Sequence, residues 1–151
     1  MLKVRDLMTP EVVTVGPTTS IKDVARSLVD HRISGMPVID DAGRVLGVVS
    51  EGDLIVKEGN DPVERRPLAR IFGDSDATRA QLAKVLALTA GDAMTAPAIT
   101  VAADAPVAEA AAIMTRGRIN RLPVVDRDEL VGVVSRADVV RAFVRSDDEL
   151  A

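Results

Sequence analysis

MPVIDDAGRVLGVVSEGD, residues Met36–Asp53, is written a second time as LPVVDRDELVGVVSRAD at Leu122–Asp138. Each copy holds two β-branched runs separated by turn residues, and each closes on Gly-Val-Val-Ser-x-x-Asp, at Gly47–Asp53 and at Gly132–Asp138. The duplication reaches back towards the N-terminus. Asp6/Asp92, Met8/Met94, Thr9/Thr95, Thr14/Thr100, Val15/Val101, Ala25/Ala111, Ile33/Ile119 and Pro37/Pro123 all pair at one constant offset. Past Asp40/Asp126 the offset shortens by one residue, as a shortened hairpin loop between Asp126 and Gly132 would produce. Function is therefore sought in a paired unit, with Gly-Val-Val-Ser-x-x-Asp as the part expected to touch a ligand.

Working outward from the duplicated stretch, the first copy opens with a short helical turn at Val4–Met8, and Thr9-Pro10 forces an extended exit. Val12–Val15 reads as a strand. Ser20 with Asp23 three residues on marks a helix start, and Ile21, Val24, Ala25, Leu28 and Val29 recur at helical spacing up to about His31. Met36–Ile39 and Val45–Ser50 read as a hairpin, and Ser50 starts a second helix. The second copy repeats the order: a strand at Ala98–Val101, a helix from Pro106 at its first position to about Arg116, strands at Leu122–Val125 and Leu130–Ser135, and a helix at Arg136–Val144. The class is α+β, two β-α-β-β-α repeats, divided as a first motif at 1–57, a linker with an inserted helix at 58–90, and a second motif at 91–147. In the insertion, Lys57–Pro67 is polar, while Leu82, Val85, Leu86 and Thr89 fall at helical intervals within Asp76–Ala90 and stop at Gly91. That helix either packs on the paired motifs or docks a partner.

Composition narrows the chemistry. With 151 residues, 47% of them hydrophobic, there is material for one core, and two motifs of about 50 residues each would be marginal apart, so a shared core is expected. No Cys and one His remove disulfides, thiol chemistry and nearly every ligand of a zinc-type site, so no metal is expected. The sole histidine, His31, stands near a helix C-terminus, where a dipole or surface role suits it. Ser-His-Asp sets and phosphate loops of the Gly-x-x-x-x-Gly-Lys type are lacking, and no catalysis is expected. A net charge of −4 and only two aromatic residues, Phe72 and Phe143, disfavour nucleic acid, for which Arg65, Arg66, Arg70 and Arg79 would be the weak alternative. The absence of a signal-length apolar run predicts a soluble cytoplasmic protein without a membrane role.

The residues quoted so far are similar to a known family: Asp-x-Met-Thr before the first strand, Met-Pro-Val or Leu-Pro-Val in the second, and Gly-Val-Val-Ser-x-x-Asp at the end, all in duplicate. The chain resembles a tandem pair of CBS domains, the regulatory module named after cystathionine β-synthase, from about Val4 to Val144. The resemblance implies a pseudo-two-fold disc with two clefts that take adenosine compounds (AMP, ADP, ATP or S-adenosylmethionine) as regulatory ligands, with no obligatory cofactor. It also implies homodimers of discs, for which the small-residue helix faces around Ala108, Ala111, Ala112 and Ala137 leave room. All of the chain is used by the pair and its insertion, so a protein regulated in trans is expected.

By the same resemblance Asp53 and Asp138 bind the ribose diol, an arrangement suited to an acceptor-only carboxylate, and Ser50 and Ser135 lie on the phosphate side. Both pairs stand where a strand gives way to a helix, so unpaired N–H groups and the positive helix end are expected to make an anion site. The same residues also suit a plain helix start, with Ser as cap and Asp in the first turn, worth about 1 kcal/mol without any ligand. Arg121, assisted by Asn120, is the phosphate ligand implied for the second copy; the first has Gly35, after Ser34, at the matching place. Val13, Thr14, Ile99 and Thr100 fall at the adenine end, and Met36, Pro37, Leu122 and Pro123 supply apolar walls and backbone groups, or else core. Two functions follow as alternatives: a sensor of an adenosine compound that signals by conformational or oligomeric change, or a non-catalytic interaction module with empty clefts.

Overall fold

The computed structural model describes residues 2–56, 83, 84 and 86–150. The linker expected at 57–67, most of the Asp76–Ala90 helix, and Arg65, Arg66, Arg70 and Arg79 lie outside the described residues. The elements follow the duplication. A 3₁₀ turn at Val4–Asp6 precedes α1 (Ile21–Asp30), β1 (Gly35–Ile39), β2 (Val45–Ser50) and α2 (Glu51–Val56). A short α3 (Ala90–Ala93) then precedes β3 (Val101–Ala102), α4 (Val107–Gly117), β4 (Arg121–Asp126), β5 (Glu129–Ser135) and α5 (Arg136–Leu150).

Two compact units result, and their boundaries do not follow the repeats. One comprises Val13–Asp41 and Leu46–Ala98; the other comprises Met1–Val12, Ala42–Val45 and Ile99–Ala151. The leader of the first repeat, Val4–Thr9, thus belongs with the strands of the second, and the leader of the second, Ala90–Thr95, with the strands of the first. The expected shared core is replaced by two. Val15, Ile21, Val24, Leu28, Met36, Val38, Val49 and Leu54 cluster with Ala90 and Ala93. Val101, Ala103, Ala105, Ala110, Met114, Leu122, Val124, Val134 and Val139 cluster with Val4. Each motif is too small to bury enough apolar surface alone, and the borrowed leader supplies part of what is missing.

In the first-repeat unit, Ser20 Oγ accepts the Asp23 N–H at 3.2 Å and starts α1, whose buried face is Ile21, Val24 and Leu28. Val29, at the edge of that stripe, is 74% exposed. His31 closes the helix: its backbone N–H donates to the Ser27 carbonyl, which its ring Nδ1 also meets at 3.0 Å. The strand expected at Val12–Val15 is reduced to one parallel bridge, Val15 to Val38. Gly91, expected to stop a helix, lies inside α3. Its N–H donates to the Pro17 carbonyl at 2.8 Å, and a Cβ there would stand 3.0 Å from that oxygen, so close backbone approach is its role. Thr89, expected within the preceding helix, is instead the N-cap of α3 in a reciprocal capping box with Asp92.

The second-repeat unit carries a three-stranded sheet in the order β3-β4-β5. β3 runs parallel to β4 through Val101↔Val124 and Ala102↔Val125, so the expected strand at Ala98–Val101 starts later, where this pairing begins. β4 and β5 are antiparallel from Arg121↔Ser135 to Asp126↔Glu129, with a register shift after Val124 that leaves Val131 as the extra residue. Pro106, extended at φ −65° and ψ 149°, is the N-cap of α4 rather than its first helical residue. The last helix runs on to Leu150, beyond the Val144 expected from its apolar pattern.

The shortened hairpin loop is Arg127-Asp128, both left-handed at φ 50° and 65°. Two positive central φ values define the mirror-image turn that matches strand twist; Gly, Asn and Asp are tolerated in it, and Arg127 is strained. Replacing the pair by Asn-Gly is expected to stabilise the protein by about 1 kcal/mol, read as a rise of about 2–4 °C in the thermal midpoint by circular dichroism.

Candidate functional site

At the end of β2 the chain turns directly into α2, and the carboxylate of Asp53 folds back on that junction. Its Oδ2 accepts from the Ser50 N–H at 2.9 Å and from the Ser50 hydroxyl at 3.2 Å, and its Oδ1 accepts from the Thr95 hydroxyl at 3.2 Å. Thr95 comes from the borrowed leader. All three donors are neutral, and Asp53 is half-buried.

The second copy uses the same residue types differently. Asp138 Oδ2 accepts from the Ser135 N–H at 2.8 Å, while the Ser135 hydroxyl accepts from the Asp138 N–H at 3.1 Å. Its Oδ1 is held by the Arg141 guanidinium, one helical turn on. Asp138 is 6% exposed, and among the described residues it is the buried charged group. Arg141 was not singled out from the sequence, nor was Thr95. Comparison of Asp138-x-x-Arg141 with Asp53-x-x-Val56 carries the signal for the former, and the Thr9/Thr95 repeat pair for the latter.

The expectation of unpaired amides at these helix starts is narrowed, because the first amides of each are paired. Besides the two Ser N–H groups held by carboxylates, Glu51 N–H donates to the Ser34 carbonyl at 2.9 Å and Arg136 N–H to the Asn120 carbonyl at 2.8 Å. The turn before β1 or β4 reaches across to the first helical amide, one of the donors that a helix start leaves without an intrahelical partner. Ser34 and Asn120 therefore act here through their carbonyls, with both residues exposed.

Arg121 is exposed and stands directly opposite Ser135 in the β4–β5 register. Met36 and Leu122 are 2% and 0% exposed, among the largest fully buried side chains, and Pro37 and Pro123 are buried beside them. They are core. Val13, Thr14 and Thr100 are half-buried and Ile99 is 50% exposed. The structure thus joins Ser50 to Asp53 within one unit, and Ser135, Asp138, Arg121 and Asn120 around one strand-to-helix junction of the other.

Gly47 and Gly132, which open the duplicated Gly-Val-Val-Ser-x-x-Asp, serve the leaders. A Cβ on Gly47 would lie 2.7 Å from Met94 Sδ and 2.7 Å from the Thr95 carbonyl; on Gly132 it would lie 2.7 Å from Met8 Sδ and 2.9 Å from the Thr9 carbonyl. Two cavities belong to the second-repeat unit. One of about 420 Å³ is lined by Asp6, Leu7, Asp138, Arg141, Val144 and Arg145. The other, of about 440 Å³, is apolar and runs along Val107, Ala111, Val139 and Phe143. Among the described residues there is no cluster of three His, Cys, Asp or Glu able to hold a metal ion, and no helix long and apolar enough to cross a membrane.

Two α+β repeats, each closing on a strand-to-helix Ser-x-x-Asp, define a duplicated domain-pair fold. The chain belongs to the CBS domain family, whose model matches residues 4–58 and 90–145. It is 34% identical over 152 residues to the CBS domain-containing protein CBSX2, chloroplastic, of Arabidopsis thaliana, with 94% of this chain and 63% of that protein covered. The chain spans about six-tenths of the length of this relative and of the CBS domain-containing protein CBSX1, chloroplastic, of the same plant, 63% and 58%. The crystal structure of CBSX2 in complex with AMP superposes with a TM-score of 0.73 at 30% identity, over 97% of this chain and 99% of that one. The CBS domain pair of protein MJ0100, solved with 5′-methylthioadenosine and S-adenosylmethionine, gives 0.69 at 25% identity over 97% and 98%. CBS-pair proteins are in general regulatory, and adenosine-type ligands are bound by these two neighbours.

Proposed function

We propose that the chain is a regulatory module that senses an adenosine compound, binds it through its two CBS motifs, and acts on a protein in trans without catalysing a reaction. The observation that carries this reading is the pair of carboxylates, Asp53 and Asp138, each fixed at a strand-to-helix junction next to a serine, in a chain similar over nearly its whole length to a protein crystallised with AMP. Asp53 and Asp138 accept from the ribose hydroxyls, Ser50 and Ser135 face the phosphate side, and Arg121 with Asn120 meets phosphate in the second repeat. Thr14, Thr100, Val13 and Ile99 flank the base, which the backbone of Met36-Pro37 and Leu122-Pro123 recognises. Ribose binding at Asp53 displaces a neutral hydroxyl, of Thr95 or Ser50, and exchanges one hydrogen bond for another at little net cost.

The rival reading, an interaction module with empty clefts, draws on α5, where Val140, Phe143 and Val144 are 57%, 66% and 65% exposed. A second copy or a different protein would cover that face. Thermal unfolding followed by circular dichroism separates the two, with AMP, ADP, ATP, S-adenosylmethionine and a guanine nucleotide as control. A ligand at 100 times its dissociation constant adds about 2.7 kcal/mol. Asp138→Ala lowers the ligand-free midpoint by itself, since it removes a cap worth about 1 kcal/mol. The informative quantity is therefore the ligand-induced increment, which is expected to shrink in Asp138→Ala and in Asp53→Ala. Arg121→Ala is expected to weaken AMP and leave adenosine unchanged. No increment with any adenosine compound would transfer the assignment to the interaction module.

A further inference from the structure

The two repeats carry the same Ser-x-x-Asp, yet their carboxylates are not in the same state. Among the described residues every donor to Asp53 is a neutral amide or hydroxyl, and the Thr95 and Ser50 hydroxyls rotate away without leaving a charge behind. At Asp138 one oxygen is engaged by a guanidinium, and the side chain is 8% exposed against 69% for Arg141. The first repeat has Val56 where the second has Arg141, so the same closure cannot form there. Charge-assisted hydrogen bonds are roughly twice as strong as neutral ones, so a ligand hydroxyl competes for Asp138 at a disadvantage that it does not meet at Asp53.

We infer that Arg141 is an intramolecular latch on Asp138, which makes the two repeats unequal: the Asp53 repeat takes the adenosine compound first, and the Asp138 repeat takes it only after Arg141 has been displaced. Arg141 acts through Asp138, so it is a specificity-setting residue and not a ligand contact. The inference rests on the function proposed above and deepens it by assigning an order of occupancy. Because most of the Arg141 side chain is in water, the latch has the strength of a partly exposed ion pair, and its removal is worth about a five-fold change in affinity.

Isothermal titration of the whole chain with adenosine and with AMP tests this. Wild type is expected to bind in two unequal steps, with the stronger step lost in Asp53→Ala. Arg141→Val, which installs the residue of the first repeat, is expected to strengthen the weaker step about five-fold and leave the stronger one unchanged. Arg141→Lys, which retains the charge, is expected to keep the inequality, whereas a change in general packing would affect Lys and Val alike. Two equal steps in wild type, or a weaker step that Arg141→Val leaves unaltered or weakens further, would overturn the latch while leaving the sensor reading intact. Absence of binding to wild type and to every variant would overturn the sensor reading and the latch together.

Discussion

Gly132→Val is expected to destabilise the protein by about 4 kcal/mol, and Gly132→Ala by about 2 kcal/mol, while Gly52→Ala raises stability by about 0.5–1 kcal/mol. The difference lies in what the new methyl meets. On Gly52, in the first turn of α2, the nearest atom to a Cβ is Ser50 Oγ at 3.7 Å, so the substitution only removes the backbone freedom of glycine. On Gly132 it meets Met8 Sδ at 2.7 Å, the Thr9 carbonyl at 2.9 Å and Met8 Cγ at 3.0 Å. The methionine tail has rotamers to give way with, but the carbonyl does not. Thr9 and Val133 exchange two backbone hydrogen bonds, 2.8 and 2.9 Å, and retreat of the carbonyl breaks both. Each is worth about 1 kcal/mol, which with overpacking gives the larger figure for valine. Met8→Ala is expected to rescue Gly132→Ala only in part, since it relieves the sulfur contact and leaves the carbonyl. Urea unfolding followed by circular dichroism measures all four variants, and a Gly132→Val protein within about 0.5 kcal/mol of wild type would refute the close approach.

That glycine also shows where the sequence was readable. Alternation and helical spacing are local, and they place the hairpins, α1 and α4 to within a residue or two; the shortened offset marks a shortened loop between Asp126 and Gly132, which the structure narrows to Arg127-Asp128. Gly47 and Gly132 are contiguous with Ser-x-x-Asp, yet the atoms they admit lie some forty residues or more away along the chain. No local pattern in Asp-x-Met-Thr says which repeat it will cover. The strand expected at Val12–Val15 has only Val15 paired, because β-branched composition marks an extended segment without showing where its partner begins. At the site, Ser50, Asp53, Ser135 and Asp138 are legible both as caps and as ligand groups; the Ser135 hydroxyl caps its helix, whereas the Ser50 hydroxyl donates to the Asp53 carboxylate, and in the proposed sensor a ligand competes with these bonds. Arg141 carries meaning only once α5 sets it one turn from Asp138.

Deletion of Leu2–Thr9 is expected to unfold the strands of the second repeat and spare those of the first, although these residues belong to the first repeat by sequence. Val4 is 0% exposed, and full burial of a valine side chain stabilises by about 1.5–3 kcal/mol. Its N–H donates to the Ala105 carbonyl and that of Arg5 to the Ala103 carbonyl, each at 2.9 Å, and Thr9 adds its two bonds with Val133. At about 1 kcal/mol each these bring the total to roughly 6 kcal/mol, within the 5–15 kcal/mol that holds a small domain folded. The Arg5–Asp104 ion pair, exposed on both sides, adds little. None of the core around Val15, Val38 and Val49 comes from the deleted segment. Amide hydrogen exchange reads the outcome strand by strand: protection at Val124 and Val134 should fall to that of an unfolded chain, and protection at Val38 and Val49 should persist. Val4→Ala, which removes two methyl groups from the same core, is the graded version, at about 2 kcal/mol, and its loss of protection should fall on the same second-repeat strands. Loss confined to Val38 and Val49 in either variant would mean that the leader covers its own repeat, and the exchange of leaders would be wrong.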